Sequence, residues 1–268
     1  MKQRVITGSI LVVVLGVLIY FGEGELEFLF SGFCVLLSVL AAFEFTKMLR
    51  ANKPNRWFDF IAVISTALFS TVSMLYLDTI GLFIYVFIAL VVVILLYAII
   101  FVFIKDFTRN DFGNQILTIF YCSLGFIALA YLRQADIYYI IYLLLVAMIT
   151  DVFAYLFGIK FGKHRLAIHI SPKKSIEGAI GGLAVGALAA ALFAYYLDLF
   201  DFGFILILLL SVVLSAIAQI GDLIASKFKR EVGIKDYSNI FPGHGGVLDR
   251  FDSSMFVAIF LMLAVMLF

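Results

Sequence analysis

Long apolar runs, each about as long as a bilayer is thick, recur along the whole chain and restrict its fold more than any other feature. A helix needs about 20 mostly apolar residues to cross the hydrocarbon core. By that measure the nine candidate spans are residues 5–21, 26–43, 58–77, 80–104, 113–132, 137–158, 178–197, 203–225 and 250–268. Hydrophobic residues make up 65% of the 268 positions, well above the roughly half apolar content of soluble domains. We therefore predict an all-α, polytopic integral membrane protein, a bundle of nine transmembrane helices.

The basic residues fall on alternate connections between the candidate spans. If the N-terminus is cytoplasmic, every lysine and arginine except Arg133 lies on an inner connection. The outer connections carry acidic residues, namely Glu23, Glu25, Glu27, Asp78, Asp136, Asp198 and Asp201. An excess of lysine and arginine on one side sets the orientation of a membrane protein. We predict a multi-pass protein of the cell (inner) membrane with its N-terminus on the cytoplasmic side.

The N-terminal run differs from a secretory signal, although Lys2 and Arg4 precede its apolar stretch. No small-residue cleavage motif follows, and Gly22-Glu23-Gly24-Glu25 comes next, so we expect a retained first span. Cys34 and Cys122 both lie in apolar runs, which supports neither a disulfide framework nor a thiolate metal site.

Polar residues inside the spans divide the chain into two regions. Residues 1–135 form N-terminal transmembrane helices, and residues 136–268 form a C-terminal transmembrane region whose polar residues indicate a functional site. The change comes at Asp151, which interrupts the apolar sixth span. A carboxylate inside a membrane costs about 2.5 to 3.5 kcal/mol on insertion scales and usually faces the bundle interior or an aqueous cavity. In the first region, residues 44–57 are expected to form an interfacial turn or short helix.

The inner connection before the seventh span is basic and contains a candidate helix start. Ser171 and Pro172 suit the cap and first turn of a helix. That placement would direct Lys173 and Lys174, with free backbone N–H groups, toward an anion. His164, like the nearby His169, lacks ligand-like spacing and is expected at the surface. Four glycines then form a small-residue face that indicates close helix packing, namely Gly178, Gly181, Gly182 and Gly186.

The end of the eighth span carries charged residues on one predicted helix face. Asp222, Ser226, Lys229 and Arg230 lie at offsets of 0, 4, 7 and 8, which places them together on a helix. Snorkelling toward the interface accounts for the cations. It does not account for Asp222, which lies one turn deeper.

The next connection turns through PGHGG and enters the ninth span with Asp249 and Asp252. Glycines let backbone N–H groups approach a ligand closely, and a turn before a helix start favours an anion. Either aspartate could simply cap that helix, because the helix dipole favours negative charge there. Together with Asp222 on the same predicted side, carboxylates among lysines and arginines suit hard-cation and phosphate chemistry.

These segments resemble the phosphatidate cytidylyltransferases, also called CDP-diacylglycerol synthases. Residues 226–252 match that family's signature without a departure, at Ser226, Phe228-Lys229-Arg230, Lys235-Asp236, Ser238, Phe241-Pro242, His244-Gly245-Gly246-Val247 and Asp249-Arg250-Phe251-Asp252. Residues 171–178, SPKKSIEG, and the Asp151 to Tyr155 segment also look like the family's C-terminal half. The resemblance is strong over residues 145–268, whereas the earlier spans match only as hydrophobic helices.

The resemblance implies an enzyme of phospholipid biosynthesis that joins CTP and phosphatidic acid into CDP-diacylglycerol and releases pyrophosphate. It implies a Mg²⁺ cofactor, with room for a second, monovalent cation such as K⁺. It also implies a homodimer surrounded by membrane lipids, with no nucleic acid partner. Asp222 and Asp249 match the family's metal-binding aspartates.

Roles for the other residues follow from the same resemblance and from the charge of the substrates. The expected catalytic residues are Asp222, Lys229, Arg230, Lys235, His244, Asp249 and Arg250. The expected substrate-binding residues are Asp151, Ser171, Lys173, Lys174, Glu177, Gly245, Gly246 and Asp252. The basic residues would offset phosphate charge, and the glycines would let the backbone approach a phosphate. Because phosphatidate is already ionised, we expect His244 to contact phosphate or support the loop rather than act as a general base.

Two other interpretations stay open at this point. A polyprenol or phytol kinase would also use CTP on a lipid, and it would release CDP instead of pyrophosphate. A secondary transporter or ion channel would use Asp151 and Asp222 to carry protons or cations. Transport does not require the long connection rich in lysine, glycine and aspartate.

Overall fold

The computed structural model describes residues 2–21, 26–50, 57–77 and 79–267. Within these ranges the chain forms nine helices and two short strands: α1 (Lys2–Phe21), α2 (Glu27–Leu49), α3 (Trp57–Met74), α4 (Thr79–Phe103), α5 (Arg109–Ala135), α6 (Ile137–Phe161), β1 (Arg165–Ala167), β2 (Ser171–Ser175), α7 (Ile176–Tyr196), α8 (Phe204–Glu231) and α9 (Leu248–Leu267). The predicted all-α class is confirmed. Several helices outrun their predicted spans, since α2 continues to Leu49 and α8 to Glu231. A helix can continue past the apolar core because its polar end is stable in water.

Eight of these helices, α2 to α9, are long and apolar enough to cross a membrane, counting only the residues described. Many large apolar side chains on them remain exposed, for example Phe87, Val92 and Leu95 on α4. Such a surface is unfavourable in water, whereas in hydrocarbon it contacts lipid tails. The protein is therefore a multi-pass membrane protein. The first predicted span, residues 5–21, corresponds to α1, which is not among the eight. Its crossing of the membrane stays a prediction.

The chain divides into two compact units. The first consists of Met1–Gln134 and Asp236–Arg250, and the second of Ala135–Lys235 and Phe251–Phe268. The first division falls beside the boundary predicted between residues 135 and 136. The segment 236–250, which the sequence grouped with the C-terminal region, packs with the first unit.

The first unit packs α2 against α3 and α3 against α4. Buried hydroxyls in these helices bond to their own helix, as when Ser38 Oγ donates to Cys34 O at 3.0 Å and Thr66 Oγ1 donates to Ala62 O at 2.8 Å. Such bonds satisfy polar side chains where water is absent. Cys34 and Cys122 are free thiols in this interior, as expected from their apolar surroundings.

Arg133, the exception in the charge distribution, is buried near the end of α5 with 3% of its surface exposed. Its Nε donates to Ile19 O at 2.5 Å and its Nη2 to Tyr20 O at 3.4 Å. These carbonyls belong to the last turn of α1, where intrahelical donors are missing and a cation is favoured. Arg133 therefore stabilises a helix end, which accounts for an arginine outside the inner connections.

Glycines bring α7 close to α6 in the second unit. A Cβ on Gly182 would lie 2.5 Å from Thr150 O and 2.7 Å from Ala154 Cβ. A Cβ on Gly178 would lie 2.5 Å from Ala154 O. This confirms the packing role predicted for the small-residue face. Thr150 also shares a hydrogen bond of 2.7 Å with Ser215 of α8, so α6 contacts both neighbouring helices.

Candidate active site

A cavity of about 550 Å³ lies in the second unit among α6, β1, β2, α7 and α8. Four residues selected from the sequence line it, namely Asp151, Lys173, Lys174 and Asp222. Its volume is in the range of small-molecule sites. The structure therefore brings together charged residues that are separated by up to 71 positions in the sequence.

The cavity also contains groups that the sequence reasoning did not select. Arg165 of β1 adds a third cation to its lining. Gln219 of α8 is anchored there, because its Nε2 donates to Ala179 O at 3.1 Å. Apolar side chains complete the lining, including Tyr155, Ile159 and Leu166.

An ion pair joins β2 to α8 at this cavity. Lys174 Nζ donates to Asp222 Oδ2, and Ser226 Oγ donates to Asp222 Oδ1 at 3.3 Å. The side chains of Lys174 and Asp222 are 28% and 25% exposed, so ligands can reach both charges. The pair offers a cation to an anionic ligand and a carboxylate to a metal ion.

The segment that supplies Lys173 and Lys174 is a strand, which corrects the predicted helix start. Ser171–Ser175 pairs antiparallel with Arg165–Ala167, with Ala167 opposite Ser171. The residue before a proline is disfavoured in the helical region, so Ser171 takes up an extended conformation before Pro172.

The cap of α7 lies four residues later than predicted. Ser175 is the N-cap, and its Oγ accepts a hydrogen bond from Gly178 N at 3.1 Å. A serine at this position satisfies an N–H group that has no intrahelical acceptor. Lys173 and Lys174 consequently precede the helix as strand residues, and the free N–H groups of a helix end do not accompany them.

Three carboxylates of the second unit interact electrostatically with one another. Asp252 is repelled by Asp222 and Asp151 and attracted by Lys229. Asp151 is repelled by Asp222 and attracted by Lys174. The structure thus groups the predicted residues Asp151, Asp222 and Asp252 with two lysines.

The two cations at the end of α8 lie in different surroundings. Lys229 is 7% exposed, whereas Arg230 is exposed and donates to Ile234 O at 2.7 Å and to Ile170 O at 3.3 Å. One residue along a helix turns the side chain by about 100°. Asp222 and Ser226 share a face as predicted, but Arg230 is engaged with the adjoining loops.

Glu177 holds the loop that precedes β1. Its carboxylate accepts from Lys163 N at 3.1 Å and from His164 N at 3.2 Å, and it contacts His164 Nδ1 at 2.6 Å. Both His164 and His169 are exposed, as predicted. A substrate-binding role for Glu177 stays a prediction.

In the first unit, Asp249 organises the segment 237–249. Its Oδ2 accepts from Tyr237 N at 2.8 Å and from Gly246 N at 2.9 Å, and the residue is 9% exposed. These donors belong to the segment before α9, so Asp249 stabilises that segment. The helix-capping role that the sequence left open stays a prediction. Burial raises the pKa of the Tyr237 phenol well above its usual range, in agreement with the 5% exposure of this side chain.

Gly245 and Gly246 are required by the packing of this segment. Gly245 has φ +82, and a Cβ there would lie 2.7 Å from Asp249 Oδ2. A Cβ on Gly246 would collide with the carboxylate of Glu44. The glycines therefore have a structural function, and their approach to a phosphate stays a prediction.

The remaining signature residues differ in exposure. His244 is half-buried and its N donates to Phe241 O at 2.8 Å. Its Nδ1 is buried and has no hydrogen-bond partner among the residues described. Lys235 and Arg250 are exposed, so both can reach an anionic ligand from solvent.

Comparison with known proteins agrees with the resemblance seen in the sequence. Residues 2–268 match the sequence model of the cytidylyltransferase family. The chain belongs to this family. The phosphatidate cytidylyltransferase of Staphylococcus haemolyticus is 43% identical to it over 151 residues, and those of Staphylococcus saprophyticus and Staphylococcus aureus are each 42% identical over 151 residues. Each alignment covers 56% of this chain and 58% of the relative, so the chain matches little more than half the length of these relatives.

The predicted metal ligands of this family member are one carboxylate in each unit, Asp222 and Asp249. Among the residues that the structure describes, no three acidic, histidine or cysteine side chains lie close enough to hold a metal ion. Mg²⁺ usually takes only one or two carboxylates, and water and substrate phosphates complete its coordination. Asp222, with only a lysine and a serine bonded to it among the described groups, fits that donor chemistry.

In the first unit, Glu44 is a residue that the sequence reasoning did not select. The sequence predicts an interfacial turn or short helix for residues 44–57, whereas Glu44 lies in α2 with 0% of its surface exposed. Residues 51–56 of the same segment lie outside the described residues. A lone carboxylate beside an apolar run is unfavourable in a membrane, and that criterion, which selected Asp151, could also have selected Glu44.

Proposed function

We propose that this protein transfers the cytidylyl group of CTP to phosphatidic acid, forming CDP-diacylglycerol and pyrophosphate. The observation that carries the proposal is its 42–43% identity with three phosphatidate cytidylyltransferases. Because those alignments cover 56% of the chain, the activity and substrates of the whole protein are part of the proposal. The product would enter phospholipid biosynthesis.

The reaction brings two anions together. A phosphate oxygen of phosphatidic acid attacks the α-phosphorus of CTP, and the bond from that phosphorus to the oxygen bridging the β-phosphate breaks. Pyrophosphate leaves with the bridging oxygen and its electron pair. The attacking phosphate is already ionised, so catalysis depends on neutralising charge and on holding the reactants in line.

The charged cavity of the second unit supports this reaction. Arg165 can donate two parallel hydrogen bonds to a phosphate, and Lys173 can act as a point charge. Lys174 is held by Asp222 and would turn to an incoming phosphate. We propose the same charge-offsetting role for Lys229, Arg230, Lys235 and Arg250.

We further propose Mg²⁺ as the cofactor, with K⁺ as a candidate second cation. When bound, Mg²⁺ would neutralise phosphate charge. Asp222 is the ligand that we propose in the second unit, beside Asp151 and Asp252, and Asp249 is the ligand that we propose in the first. His244 would contact phosphate or support its loop.

The proposed enzyme is a homodimer with its N-terminus and active site on the cytoplasmic side. The concentration of basic residues on the predicted inner connections supports this orientation. It would also give the site access to water-soluble CTP. The partners are then CTP, phosphatidic acid and membrane lipids, without nucleic acid.

Labelled CTP and vesicles that contain phosphatidic acid provide the test. The purified full-length protein should form labelled CDP-diacylglycerol and release pyrophosphate with Mg²⁺, and it should do neither with EDTA or with phosphatidylglycerol vesicles. A CTP-dependent lipid kinase would release CDP, and a transporter or channel would form neither product. Absence of CDP-diacylglycerol with every divalent metal tried would contradict the proposal.

A further inference from the structure

Glu44 lies near the end of α2 and is fully buried. Its carboxylate accepts three hydrogen bonds from distant residues: Ser238 Oγ donates to Oε1 at 2.5 Å, Val247 N to Oε1 at 2.9 Å and Leu248 N to Oε2 at 3.0 Å. All four residues belong to the first unit. Within the described part of the chain, no basic side chain pairs with Glu44.

This arrangement gives a buried carboxylate a specific function. Burying a charge is costly unless hydrogen bonds satisfy it. The N–H groups at the start of a helix lack intrahelical acceptors, and negative charge is favoured there. Glu44 accepts from Val247 and Leu248, where α9 begins. It therefore acts as an N-cap supplied by a residue 203 positions before Val247.

Gly246 lies between this carboxylate and a second one. A Cβ on Gly246 would lie 2.6 Å from both Cδ and Oε2 of Glu44, closer than real side chains approach. The second carboxylate is that of Asp249, whose Oδ2 accepts a hydrogen bond from Gly246 N at 2.9 Å. The segment is held by Glu44 from α2 and by Asp249 from within, and only glycine fits between them.

We infer that Glu44 is a positioning residue that fixes the segment 237–249, including His244 and Asp249, for catalysis. The inference rests on the proposed cytidylyl transfer. Both carboxylate oxygens of Glu44 already accept hydrogen bonds, and the side chain is buried, so it acts through the backbone of the segment and not by contact with substrate.

Glu44→Gln in the purified full-length protein provides the main test. Glutamine keeps the length and one acceptor oxygen, but its NH₂ group would face a backbone donor. We expect amide hydrogen exchange at Val247 and Leu248 to accelerate by about tenfold, the effect of losing one strong hydrogen bond. A displaced catalytic segment should lower kcat by about 100-fold. The KM for CTP should change by less than about threefold, because the lost interaction is not with the nucleotide.

Ser38→Ala is the matched control in the same helix. Ser38 is equally buried, and its hydroxyl donates to Cys34 O within α2. Exchange in the segment and kcat should both stay within about twofold of wild type. Ser238→Ala is a milder variant that retains Glu44 and removes one of its three donors. Because Ser238 Oγ also accepts from Ile240 N at 3.2 Å, exchange is compared at Val247 and Leu248, where it should accelerate by about threefold.

The outcomes separate this inference from the proposed function. A folded Glu44→Gln variant with wild-type exchange and wild-type kcat would overturn the role of Glu44. If that variant does not fold, unchanged exchange in Ser238→Ala would overturn it instead. A wild-type protein that forms no CDP-diacylglycerol would overturn the proposed function, whereas hydrogen exchange would still decide whether Glu44 holds the segment.

Discussion

The Asp222–Lys174 ion pair is accessible to a ligand and can exchange partners when one binds. Each charge neutralises the other while both remain about a quarter exposed. Each side chain is half-buried, and water still screens part of the attraction between them. Little stability is therefore lost when a phosphate takes the lysine. Ser226 Oγ donates to Asp222 Oδ1 at 3.3 Å, so the carboxylate keeps one hydrogen bond when the lysine turns to the phosphate.

Asp222→Asn should therefore separate activity from stability. The amide has the shape of the carboxylate but lacks its charge, so turnover of CTP should fall by at least about 100-fold. The free energy of unfolding, obtained from thermal unfolding, should fall by less than about 1 kcal/mol. Both quantities can be measured on the same detergent-purified sample. Asp201→Asn, the same change at an exposed position, should leave both unchanged, and near-normal turnover in Asp222→Asn would refute the assignment.

Residues such as Asp151, Asp222 and Lys174 could be selected from the sequence because charge is conspicuous beside an apolar run. Their grouping in one cavity could be anticipated only in outline, since it depends on how α6, β2 and α8 pack. Glu44 could be selected on the same ground, but its contacts could not be anticipated. Its partners Ser238, Val247 and Leu248 lie 194 to 204 positions away, and a span boundary placed at residue 43 assigned it to the interface.

At the scale of elements, helix packing was more predictable than the connections. The spacing of Gly178, Gly181, Gly182 and Gly186 places all four on one face of α7. Because this face carries no side chains, α6 packs closely against it. The turn before α7 offered two serines, Ser171 and Ser175, each able to cap a helix. Pairing of Ser171–Ser175 with Arg165–Ala167 decides between them, and strand pairing of this kind depends on a partner that local sequence does not identify.

Gly182→Ala tests the contact between α6 and α7. The added methyl group would lie 2.5 Å from a backbone oxygen, that of Thr150, and a backbone atom cannot rotate away. We expect a loss of about 1 to 3 kcal/mol, the usual cost of overpacking. Thermal unfolding of the purified protein measures this loss.

The comparison variant is Gly32→Ala in α2, where nothing lies within 4 Å of the added atom. Alanine should stabilise that helix by about 0.5 to 1 kcal/mol, because glycine loses more backbone entropy on folding. Equal unfolding temperatures for the two variants would mean that the face of α7 tolerates side chains.

For the whole molecule, the number of helices can be predicted from hydropathy, and their orientation in the membrane from the distribution of charge. Arg133, the one arginine outside the predicted inner connections, does not weaken this pattern, because it is bonded to the end of α1. The association of Asp236–Arg250 with the first unit could not be predicted from hydropathy. It depends on the hydrogen bonds of Glu44 and Asp249, which connect parts of the chain that are remote in sequence.

The predicted orientation gives a prediction for the intact membrane. Cys34 and Cys122 are buried, so the wild-type protein should react little with a membrane-impermeant maleimide. Asp201→Cys adds an exposed thiol on a predicted outer connection, and Lys105→Cys adds one on a predicted inner connection. In whole cells the reagent should label Asp201→Cys at once and Lys105→Cys only after permeabilisation, because the positive charges keep the inner connections in the cytoplasm. The opposite pattern would place the N-terminus outside, and with it the cavity that contains Asp222 on the side where CTP is not supplied.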